Sequence, residues 1–512
     1  MKYSVTGKQM KQIDADTIDR IGIPAMVLME RAALAVAEAA ECLSDGRPVR
    51  VWAACGMGNN GADGIAAGRI LHEKGYDVTV ILTGNPDYAT AENRQQQRIA
   101  GQLGLELVEF GDFIPGKCDV IIDAVFGVGL SRPVAGEAES LLKLLAGQSG
   151  SQVVAVDIPS GIHADTGQVL GTALKASVTV TFGYHKTGLL LFPGRAYTGK
   201  LQVVDIGFSA QSLKKVGWDT RILEPADLKN LPVRAADANK GTYGKLLIIA
   251  GSAGMSGAAF LSARGAYRTG AGLVKILTVE ENRQILQSQL PEAIVETYET
   301  ELLTADRNAF YDMVASQCDW ATAIILGPGL GQDPYSRDLV EAVLTYAYVP
   351  MVLDADALNT LAMYSELTGY FTENIIVTPH MGEMMRLTGL GIAELKENPV
   401  EEARNYSVRH GITCVLKDAA TIIADKEGEV CVNTSGSSGM AKAGAGDVLT
   451  GMIGGLLAQG MELNEAASYG VYLHGLAGEA AVEERGMYGV LAHEIADCVG
   501  QVIRKVTKTV IL

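Results

Sequence analysis

Apolar positions along the chain fall into two recurring patterns. Short continuous runs of four to six residues alternate with longer stretches in which apolar side chains return every three or four positions. The first stretches predict two opening helices. One follows Thr6, with Met10, Ile13 and Ile18 on a common face; the other starts at Pro24 and carries Met26, Met29, Ala33, Val36 and Ala40 at helical spacing. Strands are then predicted at Val49–Ala54, Val78–Leu82, Val120–Ala124, Val153–Val156, Val178–Thr181 and Leu201–Val204. Continuous apolar strands separated by helical segments imply a parallel sheet covered on both faces.

Between Gly207 and Gly241 the pattern gives way to polar sequence containing Pro225 and Pro232, and a new apolar strand begins at Lys245. The reading is a first domain over 1–215, a linker over 216–239 and a second domain over 240–512. The second half repeats the α/β logic, with strands at Leu273–Leu277, Ala323–Leu326, Met351–Leu353, Ile375–Val377, Thr413–Leu416 and Thr421–Ala424 and a long helix from about Gly446.

A chain of 512 residues is long enough for two or three domains. Hydrophobic residues at 48% and charged residues at 20% exclude a largely disordered chain. A formal charge of -17 has the wrong sign for coating phosphate backbones, so nucleic acid is not an expected partner. The seven cysteines are scattered and never form C-x-x-C, which argues against a disulfide framework or a zinc ribbon. No stretch has the length of a signal peptide core or a membrane span, and the expected setting is the cytoplasm, with no membrane partner. A homo-oligomer is expected, its size unset.

The 59 glycines cluster after apolar runs, where phosphate-binding turns sit in α/β folds. After the first strand comes Gly56-Met-Gly-Asn-Asn-Gly-Ala-Asp-Gly64. Glycine there either permits a tight turn and nothing more, or lets backbone amides approach an anion; Asn59, Asn60 and Asp63 supply more polar side chains than a turn needs. Two further strands end in acids, Val120-Ile-Ile-Asp123 before Gly127-Val-Gly129, and Val153-Val-Ala-Val-Asp157 before Ile-Pro-Ser160-Gly161. Each aspartate alone is a plausible turn cap. In a doubly wound sheet both strand ends meet the glycine loop in one crevice.

Together with Phe182-Gly-Tyr-His-Lys-Thr-Gly188, these motifs resemble the N-terminal domain of the bacterial bifunctional NAD(P)H-hydrate repair enzymes, over about the first 215 residues. The resemblance implies a Rossmann-like doubly wound fold and NAD(P)H-hydrate epimerase activity. It further implies substrate contacts from Asn59, Asn60, Gly61, Ala62 and Asp63, from the loop Gly127, Val128, Gly129, Leu130, Ser131, Arg132 and Pro133, and from Asp157, which is also a candidate for the chemistry. Potassium is implied near Asn60, Asp123 and Ser160, a set of hard oxygen donors. Ala62 stands where that family usually has glycine.

In the second half the densest stretch is Ser435-Gly-Ser-Ser-Gly-Met-Ala-Lys-Ala-Gly-Ala-Gly446-Asp447-Val-Leu-Thr-Gly451. Small residues let amides at a helix start cradle a transferring phosphoryl group, and Asp447 is placed to accept a proton from an attacking hydroxyl. The bland alternative makes Asp447 a helix N-cap. With Gly251–Ala258, Gly327-Pro-Gly-Leu-Gly331, Leu353-Asp-Ala-Asp-Ala-Leu-Asn359, Thr378-Pro-His-Met-Gly-Glu383 and Val415-Leu-Lys-Asp-Ala-Ala-Thr421, this stretch resembles the ribokinase-like, ADP- or ATP-dependent NAD(P)H-hydrate dehydratase domain, from about Lys240 to the C-terminus. The resemblance implies substrate contacts from Ala258, Gly329, His380 and Asp447, nucleotide contacts from Lys417, Asp418, Ala419, Ala420, Thr421 and Gly446, and magnesium brought with ADP or ATP. Asp418 and Asn239 depart from the usual residues.

The implied activity is repair of hydrated NADH and NADPH: one domain interconverts the R and S hydrates, the other phosphorylates the S form and eliminates phosphate, with Asp447 as base. The rivals are a vitamin kinase that keeps its phosphoester product, and a first domain that only senses a nucleotide.

Overall fold

The structure, a computed structural model, describes residues 2–300 and 305–511, which form two compact units, 2–221 and 222–511. In the first unit a capping box closes the helix Gly7–Ala15: the Thr6 hydroxyl accepts from the Gln9 amide while the Gln9 side chain accepts from the Thr6 amide. The segment Asp16–Ile21 continues it as a wider π-turn, and Ile18 is only half-buried there. Helix α1 (Ala25–Leu43) buries Leu28, Met29, Ala32, Ala33, Val36, Ala37 and Ala40 along one stripe.

The sheet of this unit has seven parallel strands: β1 (Arg50–Cys55), β2 (Asp77–Leu82), β3 (Glu106–Glu109), β4 (Val120–Ala124), β5 (Gln152–Val156), β6 (Val178–Phe182) and β7 (Lys200–Val204). Their spatial order is β3-β2-β1-β4-β5-β6-β7, so the connections reverse direction between β1 and β4. All of Val51–Cys55 is buried because the strand has a core on each face. Val51, Ala53 and Cys55 pack toward α1 and α2 (Asn59–Glu73), while Trp52 and Ala54 pack against Ile121, Leu141, Leu142 and Leu145. The edge strand β3 has no fully buried residue, which explains why its sequence carries no clear strand signal.

The sheet of the second unit follows the order β10-β9-β8-β11-β12-β13-β14-β15-β16, formed by β8 (Lys245–Ile249), β9 (Leu273–Val279), β10 (Ile294–Tyr298), β11 (Ala323–Leu326), β12 (Met351–Leu353), β13 (Ile375–Val377), β14 (Thr413–Leu416), β15 (Ile422–Ala424) and β16 (Val430–Val432). Seven strands pair in parallel, but β14, β15 and β16 form an antiparallel meander, a departure from uniform β-α alternation. Five residues between β14 and β15 suffice for a hairpin connection, whereas a parallel return needs a crossover.

Helices α3 (Ser256–Thr269) and α5 (Ala445–Ala458) cross at unusually close range in this unit. A Cβ on Gly451 would lie 2.0 Å from the Ser262 carbonyl oxygen, and one on Gly265 would lie 2.5 Å from that of Val448. Between the two in sequence lies α4 (Met381–Thr388). The glycines thus fix where α5 begins, which sets the position of Asp447. Among the described residues no helix is long and apolar enough to cross a membrane.

Candidate active sites

The carboxyl ends of β1, β4 and β5 in the first unit open into a cleft of about 750 Å³. Asn59, Asn60 and Asp63 line it from the start of α2, Gly127 to Arg132 from the loop after β4, and Asp157 from the end of β5. Gly61, Ala62 and Pro133 do not line it. The reason at Gly61 is steric: a Cβ there would fall 1.8 Å from the Gly56 carbonyl oxygen, so this glycine seats the helix against the turn. Ala62 is fully buried, with its amide donating to the Gly58 carbonyl. The Ala62 methyl therefore points into the core and leaves the cleft unaltered.

Asp123 is fully buried and ties the β4 and β5 loops together. Its Oδ2 accepts from the Ser160 amide at 2.8 Å, and Ser160 Oγ accepts from the Phe126 amide at 2.9 Å. Its Oδ1 has no partner, and the amide nitrogen of Asn60 is likewise buried without one. Burial pushes the Asp123 carboxyl up to about 6, against the hydrogen bonds from Ser160. Gly127 lies against the Asn60 side chain, so that a Cβ there would meet Asn60 Oδ1 at 2.9 Å. An orphaned buried carboxylate oxygen among neutral oxygens fits a monovalent cation of low charge density.

Asp157 holds a left-handed backbone, φ +66°, a conformation costly for a residue other than glycine and least so for Asp or Asn. Its Oδ1 accepts from Lys186 Nζ at 2.5 Å and from Thr181 Oγ1 and the Phe182 amide, both at 3.1 Å. Lys186 is entirely enclosed and also donates to Thr181 Oγ1 and the Phe182 carbonyl. Burial draws the Lys186 pKa down while Asp157 opposes the fall. Asp157 therefore lines the cleft as one arm of a buried ion pair.

In the second unit the loops after β8 and β11 meet. The Ser252 amide donates to the Gly329 carbonyl at 2.7 Å, and a Cβ on Gly329, where φ is +61°, would lie 2.8 Å from Ala258 Cβ. Asp354, at the end of β12 and 1% exposed, accepts from Lys417 Nζ at 2.7 Å and Thr450 Oγ1 at 2.5 Å. One carboxylate thus joins the ends of β12 and β14 to α5. Burial works against the charge on Lys417, but Asp354 and Glu383 outweigh it and raise its pKa. Lys417 therefore belongs to this network, while Asp418 and Ala419 are exposed, Ala420 is buried and Thr421 half-buried in the turn beyond it. A Cβ on Gly446 would lie 3.5 Å from Lys417 Nζ, so the ammonium reaches the start of α5.

The N-cap of α5 is Gly444, in the left-handed region, and Asp447 occupies the third helical position. Asp447 is therefore not a cap. Burial, followed by Asp354, pushes its pKa up to about 7, with Lys417 pulling the other way. His380 caps α4: its Nδ1 accepts from the Gly382 and Glu383 amides at 3.0 and 3.2 Å, while Glu383 Oε2 accepts from the His380 amide at 2.8 Å. The ring's Nε2 lies 3.4 Å from Glu383 Oε1, and 54% of the side chain is exposed. Burial pushes Glu383 up to about 7.

The family described as NAD(P)H-hydrate dehydratase matches residues 246–500, and that described as YjeF-related protein N-terminus matches 25–188. The bifunctional NAD(P)H-hydrate repair enzyme of Moorella thermoacetica is 36% identical over 520 residues, covering 99% of this chain and 98% of its own. The chain belongs to the bifunctional NAD(P)H-hydrate repair enzyme family. Another member, from Coxiella burnetii, is 38% identical and covers 86% of this chain and 87% of its own. A solved ADP/ATP-dependent NAD(P)H-hydrate dehydratase from Bacillus subtilis, co-crystallised with ATP and magnesium, is 32% identical over 57% of this chain and 100% of its own, with a TM-score of 0.48.

Three residues in this repair-enzyme chain carry no sequence signal of their role. Lys186 stands inside the quoted Phe182–Gly188 motif, but a lysine after a strand is ordinarily read as exposed. Asp14 lines the first cleft from the opening helix, far in sequence from the other lining residues. Asp354 is legible only as a member of the Asp-Ala-Asp stretch, not as the node joining β12, β14 and α5.

Proposed function

We propose that the 2–221 unit interconverts the R and S hydrates of NADH and NADPH and that the 222–511 unit dehydrates the S hydrate at the expense of ADP or ATP. The observation that carries the second assignment is Asp447. Its carboxyl, in the first turn of a buried helix and pushed up to about 7 chiefly by burial, would accept a proton from a ring hydroxyl as that oxygen attacks phosphorus. Loss of the phosphate from the carbon that bore the hydroxyl, together with a proton from the neighbouring carbon to solvent, then restores the ring double bond. His380, Gly329 and Ala258 would bind the hydrated ring; Gly446 and the segment Lys417, Asp418, Ala419, Ala420 and Thr421 would bind the nucleotide phosphates and base.

Magnesium accompanies the nucleotide phosphates in this reading and neutralises their charge. Among the described residues no group of three or more His, Cys, Asp or Glu side chains is arranged to hold a metal ion. In the first unit Asn60, Asp123 and Ser160 would hold potassium, whose charge would neutralise Asp123 and anchor the glycine loop. Asn59, Asp63, Asp157 and the loop Gly127–Arg132 would bind the substrate. Gly61, Ala62 and Pro133 would act through backbone shape alone. The seven cysteines form no disulfide among the described residues and six of them are buried, and we assign the protein to the cytoplasm.

The test is incubation of the full chain with a mixture of R and S hydrates and each nucleotide. Recovery of reduced-cofactor absorbance with release of inorganic phosphate from both epimers is expected. A stable phosphoester would indicate a kinase instead, and repair of the S form alone would remove the epimerase assignment.

A further inference from the structure

Three carboxylates share the cleft of the 2–221 unit with one enclosed ammonium, and they divide unequally. Asp157 takes Lys186. Asp14 and Asp63 line the same cleft, on the opening helix and on α2, and neither carboxylate has a hydrogen-bond or ion-pair partner among the described residues. Burial and then the charge of Asp157 raise both pKa values; Asp14 acts on Asp63 as well. Two half-buried carboxylates in one cleft, neither paired with a cation of its own, raise the cost of ionising both.

We propose that Asp14 and Asp63, the two carboxyls of this cleft with no partner of their own, supply the proton that lets the hydroxyl of the hydrated nicotinamide leave during epimer exchange, while Asp157 stays bound to Lys186. The proposal rests on the epimerase reading above. Hydration of an enamine ring places the hydroxyl on the carbon next to nitrogen. Protonation by the pair lets that hydroxyl leave as water while the nitrogen lone pair forms the N=C bond. Water then adds to the opposite face of the same carbon and returns a proton to the carboxyl cluster, so no net proton or electron is consumed. Asp157 is already engaged by Lys186, Thr181 and the Phe182 amide, which leaves Asp14 and Asp63 as the unengaged carboxyls.

Other charges facing the pair are accounted for. Lys11 lines the cleft from the helix that carries Asp14, and Arg132 from the loop after β4. Asp19 and Glu92 raise the Asp14 pKa from neighbouring segments. The Cys55 thiol near Asp63 is held neutral by burial.

The experiment measures R-to-S exchange by the full chain on mixed-epimer NADH hydrate from pH 5 to 9, at saturating potassium, with thermal unfolding in parallel. Wild-type exchange should fall as pH rises through the pKa of the pair. Asp14→Asn removes a negative charge beside Asp63, so the falling limb should move to lower pH by about one unit, and exchange above the limb should drop about tenfold. Asp63→Asn should lose at least about 100-fold. Asp14→Glu should keep the wild-type limb. Both asparagine variants should unfold close to the wild-type temperature, since neither half-buried carboxyl has a hydrogen-bond or ion-pair partner to lose among the described residues. An Asp14→Asn chain with the wild-type limb, or one that unfolds more readily, overturns the proposal. Absence of exchange in the wild type would instead overturn the epimerase reading.

Discussion

Replacing Lys417 by methionine isolates what the Asp354 node does. The methionine keeps most of the side-chain volume and removes the ammonium, leaving Asp354, 1% exposed, with Thr450 as its only remaining side-chain partner among the described residues. Breaking a buried pair from one side costs about 3–5 kcal/mol, mainly through the uncompensated charge left behind. The change also acts on Asp447, whose pKa Lys417 holds down. A base that titrates at about 7 should shift upward in the variant, and a rise of about one pH unit would leave about a tenth rather than half of it ionised at pH 7, a loss of about fivefold. Denaturant unfolding of the full chain, followed by the transition of the 222–511 unit, reads the stability. The pH dependence of nucleotide-driven repair reads the base. Adding Asp354→Asn should recover most of the lost stability, because the pair then disappears from both sides. A single variant within about 1 kcal/mol of the parent, or a rising limb that moves to lower pH, would refute the reasoning.

Asp447→Asn should abolish nucleotide-dependent repair, by about 10²–10⁴ in rate, and leave epimer exchange intact; chromatographic assay of both steps on one preparation checks this. Asp123→Asn should keep the fold, since its hydrogen bond to Ser160 survives, and should raise the potassium concentration needed for half-maximal exchange, which a potassium titration measures. Gly61→Ala should cost about 1–3 kcal/mol through its clash with the Gly56 carbonyl and disable the first cleft, measured by unfolding and by exchange. In the absence of nucleotide the 222–511 unit should lose stability as pH rises from about 5 to 8. The folded-state values of Asp447 and Glu383, both about 7, lie above their ordinary ones, so the folded state binds more protons than the unfolded chain in that window and the slope is negative. A flat profile measured by denaturant unfolding would show that these carboxyls are not desolvated.

The opening helices and the fully buried strands were legible because each carries its own hydrophobic period: Val51–Cys55 and Val120–Ala124 face a core on both sides and read as unbroken apolar runs. Strands β3 and β10 were not, because an edge strand needs only half its residues buried, and Glu-Leu-Val-Glu satisfies the sheet without announcing it. The glycine loops and their acids were legible as motifs, and the fold brings Asn60, Asp63 and Asp157 to one cleft. What no motif conveyed was pairing. Lys186 meets Asp157, and Lys417 meets Asp354 across 63 positions, through the stacking of strand ends and not through anything local. Asp14 escaped for the same reason, since its helix reaches the cleft only in three dimensions.

The left-handed backbone at Asp157 has a consequence for how this chain can change over time. Glycine would relax that conformation and asparagine would tolerate it, but either alone would strand the enclosed Lys186 ammonium without its counter-charge. Drift under pressure for folding alone therefore leaves aspartate only when Lys186 gives way to a neutral side chain as well. Positions 157 and 186 are thus a joint gauge of use: in a lineage that kept the fold and abandoned the reaction, the two should change together.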